Sequence, residues 1–532
     1  MRSLISLSAS SALAVALSLA AIQPAEAADR NLRIAYDIGD LSGMDPHRAS
    51  SHVDRAIAAM VFNGLVRLPA GNANVASAEP DLAKSWSVSE DGRVWTFQLR
   101  DDVRFQPWGN NPAQKLTAED VVFSLTKAAD VKRSAYSGEY AGFKFTAVDD
   151  TTVRIETPVP LSETLMLAKL MNYGGGFIIS KAAYEAMGDG FAMAPVGTGP
   201  FMVDHLTPKS SVTFKANPNY FRGAPKLPGV ELLFMPDVSA RGIGIRTGEL
   251  DIIEGSSEAS WVSLMRRYPN VEVKVFGPGS ASILYLNMKK PPLNDLRVRQ
   301  AIAYALSREA VVAAIGPETA MPLYAPIPGE YLPGGLTTEE VKAAKLDYPH
   351  DIAKAKELLR EAGYPDGISL DVIHTELAVM LRPMENVQAQ LRAAGIALNL
   401  RVVDHPTYHS MIRDDASQIV HYMAWRPNPD IFLSRFYHSA ADITTGTKKD
   451  TNFSHYAAID ALVDEARSTI DAKKQAELWR EASIKILQDL PVIPVFQGRT
   501  AMALNSTVQL GYDLNSNLAF FVPITERTDI VD

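Results

Sequence analysis

His405 and His409 stand four residues apart, a spacing that places two imidazoles on one helix face where their nitrogens can reach a single ion. Pro406 between them fits only the first turn of such a helix. The same spacing suits an exposed polar face, and with 0 cysteines no thiolate zinc site is open to the chain. Ser124-Leu125-Thr126-Lys127 has the Ser-x-x-Lys form of an acyl-enzyme nucleophile, but no Lys-Thr-Gly follows and the match lies inside an amphipathic helical pattern. Gly242-Ile243-Gly244 has Thr247 where a dinucleotide fingerprint needs glycine. Asp149 and Asp150 are neighbours at a turn between strands, where adjacent side chains point to opposite faces and make a poor acid–base pair. The chain holds no Gly-x-Ser-x-Gly elbow, P-loop or His-Glu-x-x-His. It reads as a protein without catalytic chemistry, and no catalytic residue, metal ligand or cofactor is assigned.

The hydrophobic pattern supplies the elements that carry these groups. Residues 86–105 read as a hairpin turning at Asp91-Gly92, with Trp95, Phe97 and Leu99 facing one side. Thr117 and Asp120 form a capping start for a helix with Val121, Leu125 and Ala128 as its buried stripe. A strand at 283–286 leads through Lys289-Lys290-Pro291-Pro292 into a helix capped by Asn294 or Asp295, with Val298, Ala301, Ile302 and Ala305 inward. A strand at 230–234, a helix at 240–247 and a strand at 250–253 make an α/β unit. Further helices are expected at 53–62, 351–362, 382–394 and 473–487, and strands at 370–373, 398–403, 419–425 and 492–496.

A chain of 532 residues has material for three or four domain-sized units, and 47% hydrophobic with 21% charged residues is an ordinary globular balance. A formal net charge of −9 argues against a nucleic-acid partner, which needs clustered Lys and Arg. Arg2, the apolar stretch 4–22 and Ala25-Glu26-Ala27 read as a cleavable export signal at 1–27, with the mature chain beginning near Ala28. The absence of cysteine leaves no thiol to acylate, so a freely soluble exported protein in a periplasm is expected rather than a lipoprotein.

The stretch 283–315 keeps company, in order, with WSVSEDGRVWTFQLRDDVRF (86–105), LTAEDVVFSL (116–125), PVGTGPF (195–201), NPNYFRG (217–223), GELDI (248–252) and AKAKELLREAGYPDG (353–367). Together these resemble the family 5 extracellular solute-binding proteins, the dipeptide, oligopeptide, nickel and opine receptors of bacterial ABC importers. The resemblance implies an α/β, two-lobed periplasmic-binding-protein fold of the large three-subdomain type, with mixed sheets flanked by helices. It implies a discontinuous first lobe at 28–278 plus 497–532, with a subdomain near 67–200, and a second lobe at 279–496. The implied partners are a small polar solute, an inner-membrane ABC permease and its ATPase subunits, with the receptor monomeric. A di- or oligopeptide leads, an opine-like sugar–amino-acid conjugate is second and nickel third.

The resemblance also nominates site residues. Arg382 falls where dipeptide-type members place an arginine that takes a ligand carboxylate in two parallel hydrogen bonds. Tyr408 and Trp425 are cleft aromatics able to stack on a side chain or sugar ring. The family form Trp-x-x-Asp-x-x-Asp-Pro is shortened here to Trp425-Arg426-Pro427-Asn428-Pro429-Asp430. Asp430, with Asn428 beside it, therefore either replaces the amine-anchoring acid or caps the following helix. Trp108 lies in a longer loop than the family usually has at 106–112 and either covers the cleft or packs on its own lobe.

Overall fold

Two sheets organise the chain. The larger has seven strands in the order Phe201–Thr207, Ser211–Ala216, Gly229–Phe234, Leu32–Tyr36, Ile252–Glu254, Thr500–Asn505 and Val271–Phe276. Leu32–Tyr36 runs parallel to both of its neighbours, and every other pairing in this sheet is antiparallel. The smaller sheet has four antiparallel strands in the order Ala320–Pro322, Val492–Gly498, Ala281–Leu286 and Ile419–Ala424. All six residues of Ala281–Leu286 are buried, as its apolar run requires of a central strand covered on both faces. This computed structural model describes residues 30–531, Ser42 and Asn172 excepted, and the expected export signal at 1–27 lies outside the described residues.

A separate four-stranded antiparallel sheet, Ala83–Val88, Val94–Leu99, Thr152–Glu156 and Lys144–Asp149, forms the hairpin-rich part of the N-terminal half. Trp95, Phe97 and Leu99 alternate into its core, as the period-two pattern predicts. The helix Ala118–Ala129 covers it and begins with a capping box between Thr117 and Asp120. In the C-terminal half, the parallel pair Ile368–Thr375 and Ile396–Val403 is joined by the helix Ala378–Ala393. That helix starts four residues before the expected 382, so Pro383 sits inside it rather than at its head. The strand expected at 250–253 is Ile252–Glu254, because Asp251 is held just outside it by Arg30 and Arg33 at 2.7 and 3.0 Å.

The chain passes between the two main sheets twice. Val271–Phe276 of the larger sheet continues through 277–280 into Ala281–Leu286 of the smaller one, and Val492–Gly498 continues through Arg499 into Thr500–Asn505. The crossings lie side by side: the Gly498 amide donates to the Ser280 carbonyl at 3.0 Å. A Cβ on Gly279 would stand 2.2 Å from the Gly498 carbonyl oxygen, so the two backbones approach as closely as they do only because position 279 has no side chain. Two short strand-to-strand connections are a geometry that can absorb rotation of one sheet against the other.

Candidate ligand-binding site

The helix His52–Val61 is fixed at its start by a reciprocal cap between Ser51 and Asp54, and it buries Val53, Ala56, Ile57, Met60 and Val61. Arg55 leaves the flank of that apolar face. Its guanidinium carbon lies 5.0 Å from the centre of the Tyr173 ring, and its Nε has no hydrogen-bond partner. Burial disfavours the Arg55 charge, but the Tyr173 and Tyr136 hydroxyls and the Asp54 carboxylate outweigh it and hold its pKa above the usual value. Tyr136 is anchored by its hydroxyl to the Ala49 carbonyl. Its ring lies against the backbone of Gly174, where φ is 56° and a Cβ would come within 2.4 Å of the ring.

The opposing wall grows from the end of the strand Ile419–Ala424. Trp425 is 8% exposed and meets Tyr331 and Phe432 edge-on, with ring centres 6.0 and 5.8 Å away. Its Nε1 is buried without a partner. Arg426 donates through Nη1 to the Trp425 carbonyl at 2.8 Å, lies over the Phe436 ring at 5.1 Å and leaves its Nε without a partner. Burial, then the like charge of Arg435, pulls the Arg426 pKa below its ordinary value. Arg435 itself is neutralised by Asp450 at 2.6 Å. Tyr173 feels the charge of Arg426 as well as that of Arg55, which puts the two walls within electrostatic reach of one another.

Among the described residues neither Arg55 nor Arg426 has a carboxylate within ion-pair distance. Three buried N–H groups, on Arg55, Trp425 and Arg426, are left unspent. Buried donors without acceptors are costly unless a bound group supplies the acceptor. Two guanidiniums flanked by aromatic rings suit a carboxylate attached to a polar, ring-sized or extended body.

The six residues nominated from the sequence fall in different places. Trp425 stands in this wall. Arg382 is the fifth residue of its helix, largely exposed, and its Nη1 pairs with Glu258 at 3.0 Å. It lines a separate cavity of about 610 Å³ with Asp37, Arg241, Glu254 and Ala314. Tyr408 is fully buried with its hydroxyl donated to the His421 carbonyl, so it packs the C-terminal half and presents nothing to a ligand. Asn428 caps the helix Pro429–Phe436, its side chain accepting the Ile431 amide at 3.0 Å. The cap is therefore Asn428 and not Asp430, because Pro429 takes the first helical position. Asp430 is paired with Arg467 at 3.2 Å. Trp108 is partly buried against its own core, in a tight turn bridged to Asn111.

The other motifs are absorbed by structure. Ser124 Oγ donates to the Asp120 carbonyl at 2.7 Å and accepts the Ile179 amide at 3.0 Å, while Lys127 grips both Asp45 oxygens at 2.8 Å. His405 and His409 do share a helix face, with their Nε2 atoms 3.1 Å apart, but no group of three or more metal-ligating side chains assembles among the described residues. Sequence reasoning missed Arg55, Tyr136, Tyr173 and Arg426. Arg55 was detectable as a lone cation interrupting an apolar helical run, and Arg426 as the residue beside the nominated tryptophan.

The chain is similar to proteins that share one kind of work. The dipeptide-binding protein of Escherichia coli K12 is 27% identical over 526 residues, spanning 92% of this chain and 93% of its own. A solved structure of MoaA from A. tumefaciens R10, in complex with mannopinic acid, is 37% identical with a TM-score of 0.78, covering 95% of this chain and 100% of that one. DppA of Helicobacter pylori in complex with the peptide STSA is 26% identical with a TM-score of 0.74, covering 94% and 98%. These neighbours share the two-lobed fold of periplasmic binding proteins, and mixed sheets flanked by helices are what this chain shows. The sequence model of bacterial extracellular solute-binding proteins, family 5 (middle), matches residues 77–443, so this chain belongs to the family 5 solute-binding proteins and its work is to bind a solute.

Proposed function

We propose that the protein is the periplasmic receptor of an ABC importer and that its ligand is an amino-acid-derived carboxylate, with an opine-type sugar–amino-acid conjugate favoured over a free peptide. The observation that carries this reading is the pair of unneutralised guanidiniums, Arg55 and Arg426, set among Tyr136, Tyr173 and Trp425. A single carboxylate is enough for either ligand class. The conjugate is favoured on two grounds. Asp430 is already held by Arg467, and 37% identity with the mannopinic-acid-bound MoaA exceeds the 27% with the dipeptide-binding protein.

In this reading residues 28–278 plus 497–532 form one lobe and 279–496 the other, turning about the paired crossings at 277–280 and 499. The mature chain acts as a monomer, released into the periplasm by its export signal, and hands its cargo to the permease without chemical change. Ser124 and Lys127, committed to Asp120, Ile179 and Asp45, support the reading as a binder rather than a secreted hydrolase. Small-angle scattering with and without mannopinic acid tests it. A ligand-dependent fall in radius of gyration supports closure of one lobe on the other. An unchanged profile at saturating ligand contradicts it.

A further inference from the structure

Tyr331 stands on the turn 328–336, whose ends are joined by a bridge between Pro328 and Leu336. The Tyr331 and Leu332 amides both donate back to the Pro328 carbonyl, at 3.4 and 3.2 Å, and Leu332 is buried. Gly334 lies so near the helix Ala472–Asp489 that a Cβ there would stand 2.6 Å from the Ala476 carbonyl oxygen and 2.8 Å from the Trp479 Cβ. The turn is therefore seated on the helix that leads into Val492–Gly498 of the smaller sheet. From that base the Tyr331 ring meets Trp425 edge-on, with centres 6.0 Å apart and planes at 86°. Its other end rests on Gly277. A Cβ there would stand 2.0 Å from the Tyr331 hydroxyl oxygen and 2.6 Å from its Cζ, so the tyrosine fills the space that a side chain would need.

Gly277 opens the first of the two crossings between the main sheets and is tied to the larger one. It directly follows Val271–Phe276, and its carbonyl accepts the Asn517 amide at 2.8 Å. It is also bridged to Ser516, whose amide donates to the Gly71 carbonyl at 2.9 Å. Tyr331 thus touches the ligand wall at one end and the far side of the crossing at the other. The crossings have room to turn, because a cavity of about 270 Å³ borders Gly279, Ser280, Gly498 and Arg499 and reaches His52 and Met423. Rotation about the crossings moves Gly277 against a ring held by 328–336, and close-packed groups answer such motion by changing partners rather than by stretching. Resting on the proposed reading of a receptor that closes on its ligand, we infer that Tyr331 is a positioning residue that couples ligand contact at Trp425 to the crossing at Gly277. A ligand seated on Trp425 fixes the edge-on pair, and the fixed ring holds Gly277 in the closed arrangement. Affinity then includes the free energy of closure, and it falls with the fraction of molecules able to close.

Calorimetry and small-angle scattering of the mature protein with mannopinic acid test this in wild type, Tyr331→Leu, Tyr331→Phe, Gly277→Ala and the double variant Gly277→Ala with Tyr331→Leu. Circular dichroism melting checks that each variant folds. Tyr331→Leu is expected to raise the Kd about tenfold or more and to keep, at saturating ligand, less than half of the wild-type fall in radius of gyration. Tyr331→Phe keeps the edge on Trp425 and lacks the oxygen over Gly277, so it should lose a smaller part of that fall, and it decides the matter if Tyr331→Leu does not fold. Gly277→Ala should also lose closure, and the double variant should lose no more than the worse single variant, because both changes act on one contact. A full wild-type fall in the Tyr331 variants at saturation, whatever their affinities, makes Tyr331 a wall residue alone and overturns the inference while leaving the carboxylate reading intact. Additive losses in the double variant overturn it as well. A wild type that binds neither mannopinic acid nor dipeptides, or that binds without contracting, brings down the proposed function and this inference with it.

Discussion

Arg55 and Tyr173 come from separate parts of the N-terminal half, yet the guanidinium carbon of one lies 5.0 Å from the ring centre of the other. Tyr173 also lies in the field of Arg426, which leaves the smaller sheet on the opposite wall. Among the described residues, neither of these two guanidiniums has a carboxylate within ion-pair distance. Elsewhere the buried cations are spent: Arg299 on the Leu293 and Asp489 carbonyls, Arg308 on Leu323 and Pro494, Lys127 on Asp45.

Arg55→Ala and Arg426→Ala are each expected to raise the Kd for a carboxylate ligand about 100-fold, from a charge-assisted hydrogen bond worth roughly 2–3 kcal/mol. Arg426→Lys should recover little, since an ammonium cannot reproduce a two-pronged fork. Without ligand, Arg426→Ala should melt no lower than wild type, because the desolvated charge it removes has no ion-pair partner and its one hydrogen bond, to the Trp425 carbonyl, and its stack on Phe436 do not offset that cost. Titration calorimetry and melting curves read the two effects separately.

The crossing of the two inter-sheet connections predicts a penalty at Gly279. A methyl group there would stand 2.2 Å from the Gly498 carbonyl oxygen. Gly279→Ala should therefore destabilise the fold by about 1–3 kcal/mol through forced backbone displacement. A melting temperature equal to that of wild type would show the connections to be further apart than described.

Stability should fall with acid through buried neutral histidines. The Thr375 carbonyl can only accept, so His374 donates to it through Nδ1 and receives His421 Nδ1–H on its Nε2, at 3.0 Å each. His421 Nε2 then accepts from the Ser282 hydroxyl at 2.8 Å. Burial pushes His421 down from 6.5 to about 3 and His47 to about 4. Below pH 6.5 the unfolded chain binds protons that the native chain refuses, so stability is full above pH 6.5 and is lost as pH falls toward those depressed values. Each such group contributes a slope of about 1.4 kcal/mol per pH unit within its window. In denaturant titrations between pH 6.5 and 4, His421→Asn should flatten the slope by about one proton.

The Arg382–Glu258 pair has both partners largely exposed, so screening by water leaves it little to contribute. Arg382→Ala should change stability by less than about 0.5 kcal/mol and, if the carboxylate sits on Arg55 and Arg426, ligand affinity by less than threefold. A loss of affinity comparable to that of Arg55→Ala would move the carboxylate to the cavity that Arg382 lines.

What was legible in the sequence were features whose cause is local. Alternation exposed the hairpin of Trp95, Phe97 and Leu99, the Thr117–Asp120 capping box marked its helix, and Asp295 proved the cap of Leu296–Tyr304. The start of Ala378–Ala393 was misplaced because Pro383 reads as a helix head, whereas here the helix continues past it. The site was only partly legible for a different reason. Arg55, Tyr136, Tyr173 and Arg426 are brought together by packing across hundreds of residues, and no spacing records that. Tyr408 looked like a cleft aromatic because burial and ligand contact leave the same residue type behind.

The most direct test of the central claim is titration calorimetry of the tag-free mature chain, stripped of carried-over ligand, against mannopinic acid, dipeptides, tripeptides and Ni²⁺, in wild type and the double variant Arg55→Ala with Arg426→Ala. The account predicts one-to-one binding of a carboxylate-bearing amino-acid derivative, strongest for the sugar conjugate and abolished in the double variant. At about 1,000 times its Kd such a ligand adds roughly 4 kcal/mol, a shift of about 4 °C in the melting temperature of a chain this size. Binding of an uncharged sugar or of Ni²⁺ alone, or of any carboxylate with undiminished affinity in the double variant, would contradict it.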